Sequence, residues 1–242
     1  MTPPATSGSP ESVIGLSDHS EGITELQNAV IRFAGNSQDG IQTIGGFLAR
    51  LAGRSAREVM TYMTIPSTIS GGPSIFQVHL GSGEVLSAGD ESDFLFAFYQ
   101  HSYDNHIGSL KSGGICIYDS DHVETIRTDV DAIHVPIPIT STTVEAIGGS
   151  AKDRGKNLFV LGLVTAIFKL DKEKITSLVS RQFGGKSEDI LRNAMLAFDA
   201  GFAYPVGDLM KLEFGLMEGK GLGADKVTTD GNTALTMGLL AG

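Results

Sequence analysis

Cysteine is almost missing from this chain: Cys116 is the only one in 242 residues. That excludes an intrachain disulfide, and it excludes any cysteine-ligated cluster carried by this chain alone. Basic residues are also scarce, 18 Lys and Arg against 28 Asp and Glu, which leaves a net charge of -10. A nucleic-acid binder needs a basic excess to neutralise phosphates, so that class is excluded. No apolar run reaches the roughly 20 residues that span a bilayer. The first 21 residues have no basic start and no continuous apolar segment. No signal peptide is therefore expected, and the default compartment is the cytoplasm. The hydrophobic share of 41% with 19% charged residues suits a globular protein with a substantial core, one large domain or a domain with extras.

Catalytic patterns are thin as well. There is no G-x-S-x-G elbow, and no Cys–His arrangement can be assembled. His101 and His106 are five apart and fall on different faces of a helix, which makes a poor metal pair. Asp129 and Asp131 sit in a charged turn, where solvation explains them. Cys116 falls inside an apolar run and reads as inert packing.

The stretch from Val30 to Gly46, V-I-R-F-A-G-N-S-Q-D-G-I-Q-T-I-G-G, carries the strongest signal. Val30 to Ala34 is a β-branched, apolar run of strand length. Gly35 to Gly40 is a tight polar loop. From there Ile41, Ile44, Phe47, Leu48 and Leu51 recur at three- and four-residue steps, the spacing of one helical face. Strand, loop and helix in that order aim helix N-terminal N–H groups at whatever lies above the loop, and an anion is the natural guest. The loop is not a P-loop, because Gly40 is followed by Ile41 and Gln42 rather than Lys and Ser or Thr. A dinucleotide fingerprint needs G-x-G-x-x-G and an acid about 20 residues on. Here the glycines fall at 35, 40, 45 and 46, and the next strand ends in Met63-Thr64-Ile65-Pro66 with no acid. A simpler reading stays open: Gly35 and Gly40 only make the turn, and Ser37 or Asp39 caps the helix.

The rest of the chain predicts an α/β fold, a Rossmann-like and mostly parallel sheet flanked by helices, with a helical C-terminal part. Residues 1–26 read as a flexible leader, 27–218 as the main domain, 219–228 as a linker, and 229–242 as the start of a second domain. The first helix should stop near Gly53 as a left-handed cap, with Arg50 and Arg54 complementing its dipole. Glu58 to Ile65 reads as the second strand, and Pro66 to Pro73 as a loop at a strand end. Ile75 to Leu80 alternates apolar and polar residues, which fits a half-exposed strand, antiparallel or at an edge. Asp93 to Tyr99 and Ile115 to Tyr118 read as buried strands. Ala132 to Ile139 holds two prolines and belongs at an edge or strand end. His101 to Leu110 and Thr142 to Ile147 are helical. Further helices are expected over 157–170, capped by Asn157, over 171–183, and over 187–218 with breaks at Gly201 and Pro205.

The run from Ile31 to Gly46, followed by Ile65-Pro66 and Phe76-Gln77-Val78, resembles the gamma domain of 2-oxoacid:ferredoxin oxidoreductases. Lys156-Asn157 with Gly162, in K-N-L-F-V-L-G, is similar to a second signature of that domain. Gly231-Asn232-x-Ala234-x-x-x-Gly238 resembles the opening of the pyrimidine-binding alpha domain of the same enzymes. Gamma placed ahead of alpha resembles the fused alpha subunits of the 2-oxoglutarate type, so 2-oxoglutarate is the first substrate guess.

The resemblance implies an enzyme that converts a 2-oxoacid and coenzyme A to acyl-CoA and CO2, with electrons passed to ferredoxin. Thiamine diphosphate, Mg and an iron–sulfur cluster belong to the complete enzyme and not to this chain. It implies that Gly35, Asn36, Ser37, Gln38 and Gly40 hold the phosphates of coenzyme A through backbone N–H groups. Asp39 is a secondary candidate, since its carboxylate repels a phosphate unless it turns away to cap the helix. Pro66, Ser67, Thr68, Gly71 and Gly72 form a second candidate loop. Separate gamma subunits often carry G-x-G-G-Q-G where this chain has Asn-Ser-Gln-Asp, which implies a different binding mode. The chain has no catalytic residue or metal ligand of its own in this reading. A beta subunit, ferredoxin and a dimer of alpha–beta units are the implied partners. Two alternatives remain: a non-catalytic assembly domain, and an irregular nucleotide-binding oxidoreductase domain.

Overall fold

Strand and helix runs alternate along the first half of the chain, and the computed structural model, which describes residues 24–66, 71–149, 155–219 and 227–242, folds them into one central sheet. Its strands are β2 (Asn28–Asn36), β3 (Glu58–Met63), β4 (Pro73–Gly81), β5 (Ser92–Ala97), β6 (Leu110–Asp119) and β7 (Ala132–Ile137), preceded by a short β1 (Thr24–Leu26). They lie in the order β3-β4-β2-β5-β6-β7. β2, β5, β6 and β7 are mutually parallel, while β4 is antiparallel to both of its neighbours. The expected α/β fold with a mostly parallel sheet is therefore what forms. β5 is buried at every position and β2 at seven in a row, the pattern of strands covered on both faces.

The helices are α1 (Ile41–Arg54), α2 (Gln100–His106), α3 (Ile139–Ile147), α4 (Lys156–Ile167), α5 (Lys172–Phe183), α6 (Glu188–Ala203), α7 (Val206–Met210) and, after strand β8 (Phe214–Leu216), α8 (Gly231–Ala241). The apolar stripe of α1 is buried at Ile41, Ile44, Phe47, Leu48 and Leu51. It joins α4, α5 and α6 over the sheet face that carries Ile31, Phe33, Val78, Phe94 and Phe96. The opposite face carries Ala34, Leu95, Ala97 and Cys116, packed against Tyr103 of α2. Glycine sets two of the closest approaches. A Cβ on Gly45 would fall 2.0 Å from the Phe76 ring, and one on Gly201 would fall 1.9 Å from the Phe159 carbonyl, so α1 lies directly on β4 and α6 directly on α4. No helix among the described residues is long and apolar enough to cross a membrane.

Several expected boundaries move. Thr24–Leu26, placed in the leader by composition, is a strand that pairs in parallel with Phe214–Leu216. β4 is not at an edge: it hydrogen-bonds β2 on one side and β3 on the other. Its alternation marks two covered faces of unlike chemistry, Phe76 and Val78 toward the helices and Gln77 toward Arg32, whose Nε donates to Gln77 Oε1 at 2.6 Å. The edges are β3 and, as its prolines suggest, β7. α1 runs through Gly53 to Arg54, and the left-handed residue beyond it is Ala56, with φ 53. α4 begins at Lys156 with Gly155 rather than Asn157 at the cap. The long C-terminal helix ends at Ala203, before Pro205, and passes straight through Gly201. Cys116 is fully buried, and burial pushes its thiol up to about 12, in keeping with inert packing.

Candidate functional site

The carboxyl ends of β2, β5 and β6 lie side by side, the place where open α/β sheets put ligands. β2 runs on through Gly35 and Asn36 before the chain makes a single 3-10 turn, Ser37–Asp39, into Gly40 and then α1. Gly40 holds φ 71, the left-handed region that suits glycine. A Cβ there would lie 2.5 Å from Asn157 Nδ2, so the loop abuts the start of α4 because position 40 has no side chain.

Asp39 turns inward. Its Oδ2 accepts from the Asn36 N–H at 2.8 Å, and its Oδ1 accepts from the Tyr99 hydroxyl at 2.9 Å. Asp39 thus closes the turn that precedes α1, whereas α1 itself has Gly40 at its cap and no side-chain cap bond. Both oxygens are thus engaged within the protein, and the carboxylate keeps its charge beside the loop. Ser37 N–H donates to the Gly72 carbonyl at 3.0 Å. The Asn36 and Ser37 N–H groups are therefore engaged inside the protein, and the open cradle expected of the loop is closed at those two residues.

The second candidate loop meets the first. Gly72 supplies that carbonyl, and a Cβ on Gly71 would come within 3.6 Å of Gln38 Oε1. Pro66 lies two residues beyond Thr64, which is tied to β4 through Ile75 and Ser74. Ser67 and Thr68 lie outside the described residues.

Three side chains complete the site: Lys156, which opens the K-N-L-F-V-L-G signature, and Tyr99 and Asp119, which no motif marked. Tyr99, just past the end of β5, donates to Asp39 and accepts from Lys156 Nζ at 3.0 Å. The Lys156 ammonium also sits 4.5 Å from the Tyr99 ring centre and 5.7 Å from that of Phe98, a cation–π geometry. Burial, and then the charge of Asp39, push the Tyr99 hydroxyl far above its ordinary range, so it stays protonated and keeps donating. Asp119 ends β6. Its Oδ2 accepts from Thr140 Oγ1 at 2.6 Å, and its Oδ1 from the Thr140 and Asp121 N–H groups. Burial raises its pKa, while those bonds and the charge of Lys156 pull the other way. The rings of His101 and His122 lie 5.5 and 5.2 Å from that of Tyr99. Among the described residues, no group of three His, Cys, Asp or Glu is placed to hold a metal. One signal for Tyr99 was available, its place at the end of the nearly continuous apolar run from Asp93. None pointed from Tyr99 to Lys156, 57 residues away.

The chain matches the family of pyruvate ferredoxin/flavodoxin oxidoreductases over residues 30–204. It is 31% identical over 229 residues to the 2-oxoglutarate oxidoreductase subunit KorA of Mycobacterium tuberculosis, covering 84% of this chain and 35% of that one. Among solved structures, the 2-oxoglutarate:ferredoxin oxidoreductase of Magnetococcus marinus, with 2-oxoglutarate, coenzyme A and succinyl-CoA bound, aligns at a TM-score of 0.76 and 27% identity. That alignment covers 88% of this chain and 37% of the other. The gamma subunit of a keto/oxoacid ferredoxin oxidoreductase from Geobacter sulfurreducens shares the fold, with a TM-score of 0.58 at 24% identity over 72% of this chain and 94% of that subunit. The chain thus spans about a third of the length of its longer relatives. The Asn36–Gly40 loop, Tyr99, Asp119 and Lys156 all fall inside the matched stretch, and the chain belongs to the pyruvate ferredoxin/flavodoxin oxidoreductase family.

Proposed function

We propose that this chain is the coenzyme A-handling, gamma-type part of a 2-oxoacid:ferredoxin oxidoreductase, with 2-oxoglutarate as the first substrate. The observation that carries this is the meeting of the Asn36–Gly40 loop with the start of α4 at the carboxyl edge of the sheet, with a lysine beside it. The relative with coenzyme A and succinyl-CoA bound aligns over 88% of this chain, which supports the reading. Coenzyme A supplies the thiol that accepts the acyl group, and this chain's part is to hold its phosphates. Gly35, Asn36, Ser37, Gln38 and Gly40 remain the assigned loop, with Asp39 turned to its two donors and with Pro66, Ser67, Thr68, Gly71 and Gly72 as secondary candidates. Since the Asn36 and Ser37 N–H groups are engaged, binding would start at the remaining donors.

Residues 27–218 would form the gamma domain, 219–228 the linker, and 229–242 the opening of the alpha domain. Thiamine diphosphate, Mg and the iron–sulfur cluster would supply the decarboxylation and the electron path. The residues here do not fit a cluster, because the single cysteine lies buried inside β6. A beta subunit in a dimer of alpha–beta units would carry it, with ferredoxin as the acceptor and the cytoplasm as the setting.

The engaged N–H groups favour one rival, an assembly domain whose loop takes no ligand. Calorimetric titration of coenzyme A into the complete enzyme, wild type beside Ser37→Glu, separates the two. Binding that is lost in the variant is the expected result. A wild type that takes up no coenzyme A would falsify the proposal and leave the domain as architecture.

A further inference from the structure

β3 is an outer strand of the sheet, and among the described residues no strand lies beyond it. In an antiparallel pair, residues alternate between those that bond their neighbour and those that turn their N–H and C=O outward. Thr64 N–H donates to the Ile75 carbonyl at 3.1 Å, and the same register sets Tyr62 opposite Gln77 and Met60 opposite His79. The even positions therefore face β4, while Val59, Thr61 and Met63 offer their backbone groups to the outside. Side chains are left open as well, since Met60, Tyr62, Met63 and Ile65 are exposed. From Val59 to Ile65 there is no charged residue, in a chain whose net charge is -10. Two copies repel over most of their surface, and this uncharged row is a place where they can approach.

We infer that β3 is where two copies of this chain meet, strand against strand and antiparallel about a twofold axis at Thr61. That register sets Thr61 opposite Thr61 of the second copy, Met60 opposite Tyr62 and Val59 opposite Met63. Threonine pairs, and a thioether beside an aromatic ring, are favourable cross-strand neighbours. The outward N–H and C=O groups of Val59, Thr61 and Met63 then pair with those of the same three residues in the second copy. Glu58 falls opposite Thr64, so its carboxylate, which accepts from the Val85 N–H at 2.6 Å, meets no acid directly across the axis. An axis at Thr61 keeps Val59 to Met63 paired within the strand itself, whereas one at Tyr62 carries the pairing past Met63, where β3 ends. A strand from another subunit would have to bring its own match to this row. A second copy already carries it, and the two six-stranded sheets become one.

The test uses the complete enzyme and two readouts. Cys116 is fully buried with its thiol pushed up to about 12, so Thr61→Cys gives this chain an accessible thiol that it otherwise lacks. Opposed residues of a hydrogen-bonded antiparallel pair have Cα atoms about 5.5 Å apart, within reach of a disulfide. Ile65→Cys is the control: position 65 is 71% exposed, but the register holds its two copies about 27 Å apart. Under a mild disulfide oxidant, Thr61→Cys should link two copies about tenfold faster than Ile65→Cys or more, since paired thiols react at a high effective concentration. Mass spectrometry should find the link between two position-61 peptides. In the wild type, residue-resolved hydrogen exchange should show the Val59, Thr61 and Met63 amides as slow as those of Met60 and Tyr62. No link at position 61, or equal linking in the two variants, overturns the inference, and so does fast exchange at the three outward amides. Slow exchange without a link between copies would give the edge to a strand of another subunit and overturn it too.

Discussion

Gly40 joins two constraints in one residue. Its backbone is left-handed, with φ 71, and the space where a Cβ would stand is filled by the Asn157 amide 2.5 Å away. The backbone term alone predicts a loss of about 1–2 kcal/mol for Gly40→Ala, and displacement of Asn157 adds to it. Urea denaturation should show a lower midpoint at an unchanged slope. Cys116 makes a prediction of a different kind. Burial pushes its thiol up to about 12 in the folded protein, whereas an unfolded cysteine titrates near 8.5. The folded state therefore holds its proton longer. This contribution to stability is fully present below the unfolded value and is lost as pH rises from there through the folded value. Native protein at pH 9 should resist a thiol alkylating reagent, and protein unfolded in urea at the same pH should react fully. Reaction of the native protein at the unfolded rate would show that the β6 interior is open to solvent.

At the scale of the element, α4 and α6 touch backbone to backbone. A Cβ on Gly162 would lie 2.2 Å from the Phe198 carbonyl, and one on Gly201 would lie 1.9 Å from that of Phe159. Gly201→Ala should destabilise by about 3 kcal/mol, the upper range for overpacking. Because α4 also meets the loop where Asn157 abuts Gly40, the same change should weaken coenzyme A binding even in protein that remains folded. Thermal denaturation and titration of the single variant check both. These helices show where sequence reading succeeds and where it stops. The spacing of Ile41, Ile44, Phe47, Leu48 and Leu51 is legible because one face of α1 meets the sheet and the other meets water. α4 is buried from Leu158 to Thr165, so no polar face marks its start, and Asn157 competes for the cap with the less conspicuous Gly155. The place of β4 is similarly hidden. Its alternation looks like half-exposure, but Gln77 is buried by its bonds to Arg32, Ala88 and Gly89, partners brought close by folding. The loop itself is visible in the residues from Gly35 to Gly40. Its clamp is not, since Asp39, Tyr99 and Lys156 meet only after β5 and α4 are in place.

Across the whole molecule, the two sheet edges differ. β7 is blunted by Pro136, whereas β3 leaves Met60, Tyr62 and Met63 between 39% and 53% exposed. From Val59 to Ile65 it has no charge. Past Glu58 this edge has no charge, proline or bulge, and such an edge is a template for further strands. Thr61→Lys should reduce concentration-dependent self-association in sedimentation velocity with little change in thermal stability. Equal association in the two proteins would place the sticky surface elsewhere. The small ladder of β1 with β8 has a consequence of another sort. It sets Thr24 beside Phe214 and Leu26 beside Leu216, so the strands that open and close the folded unit lie next to each other, separated by a strand spacing of about 5 Å. The pair is parallel and only three residues long, so the chain enters at Thr24 and leaves at Leu216 across one short ladder, and such a body can be cut out of a longer polypeptide, or spliced into one, without threading either end through its interior. The same architecture is found as a separate gamma subunit in Geobacter sulfurreducens and within a longer chain in Magnetococcus marinus, and the paired strands give a mechanical reason why both arrangements are open to it.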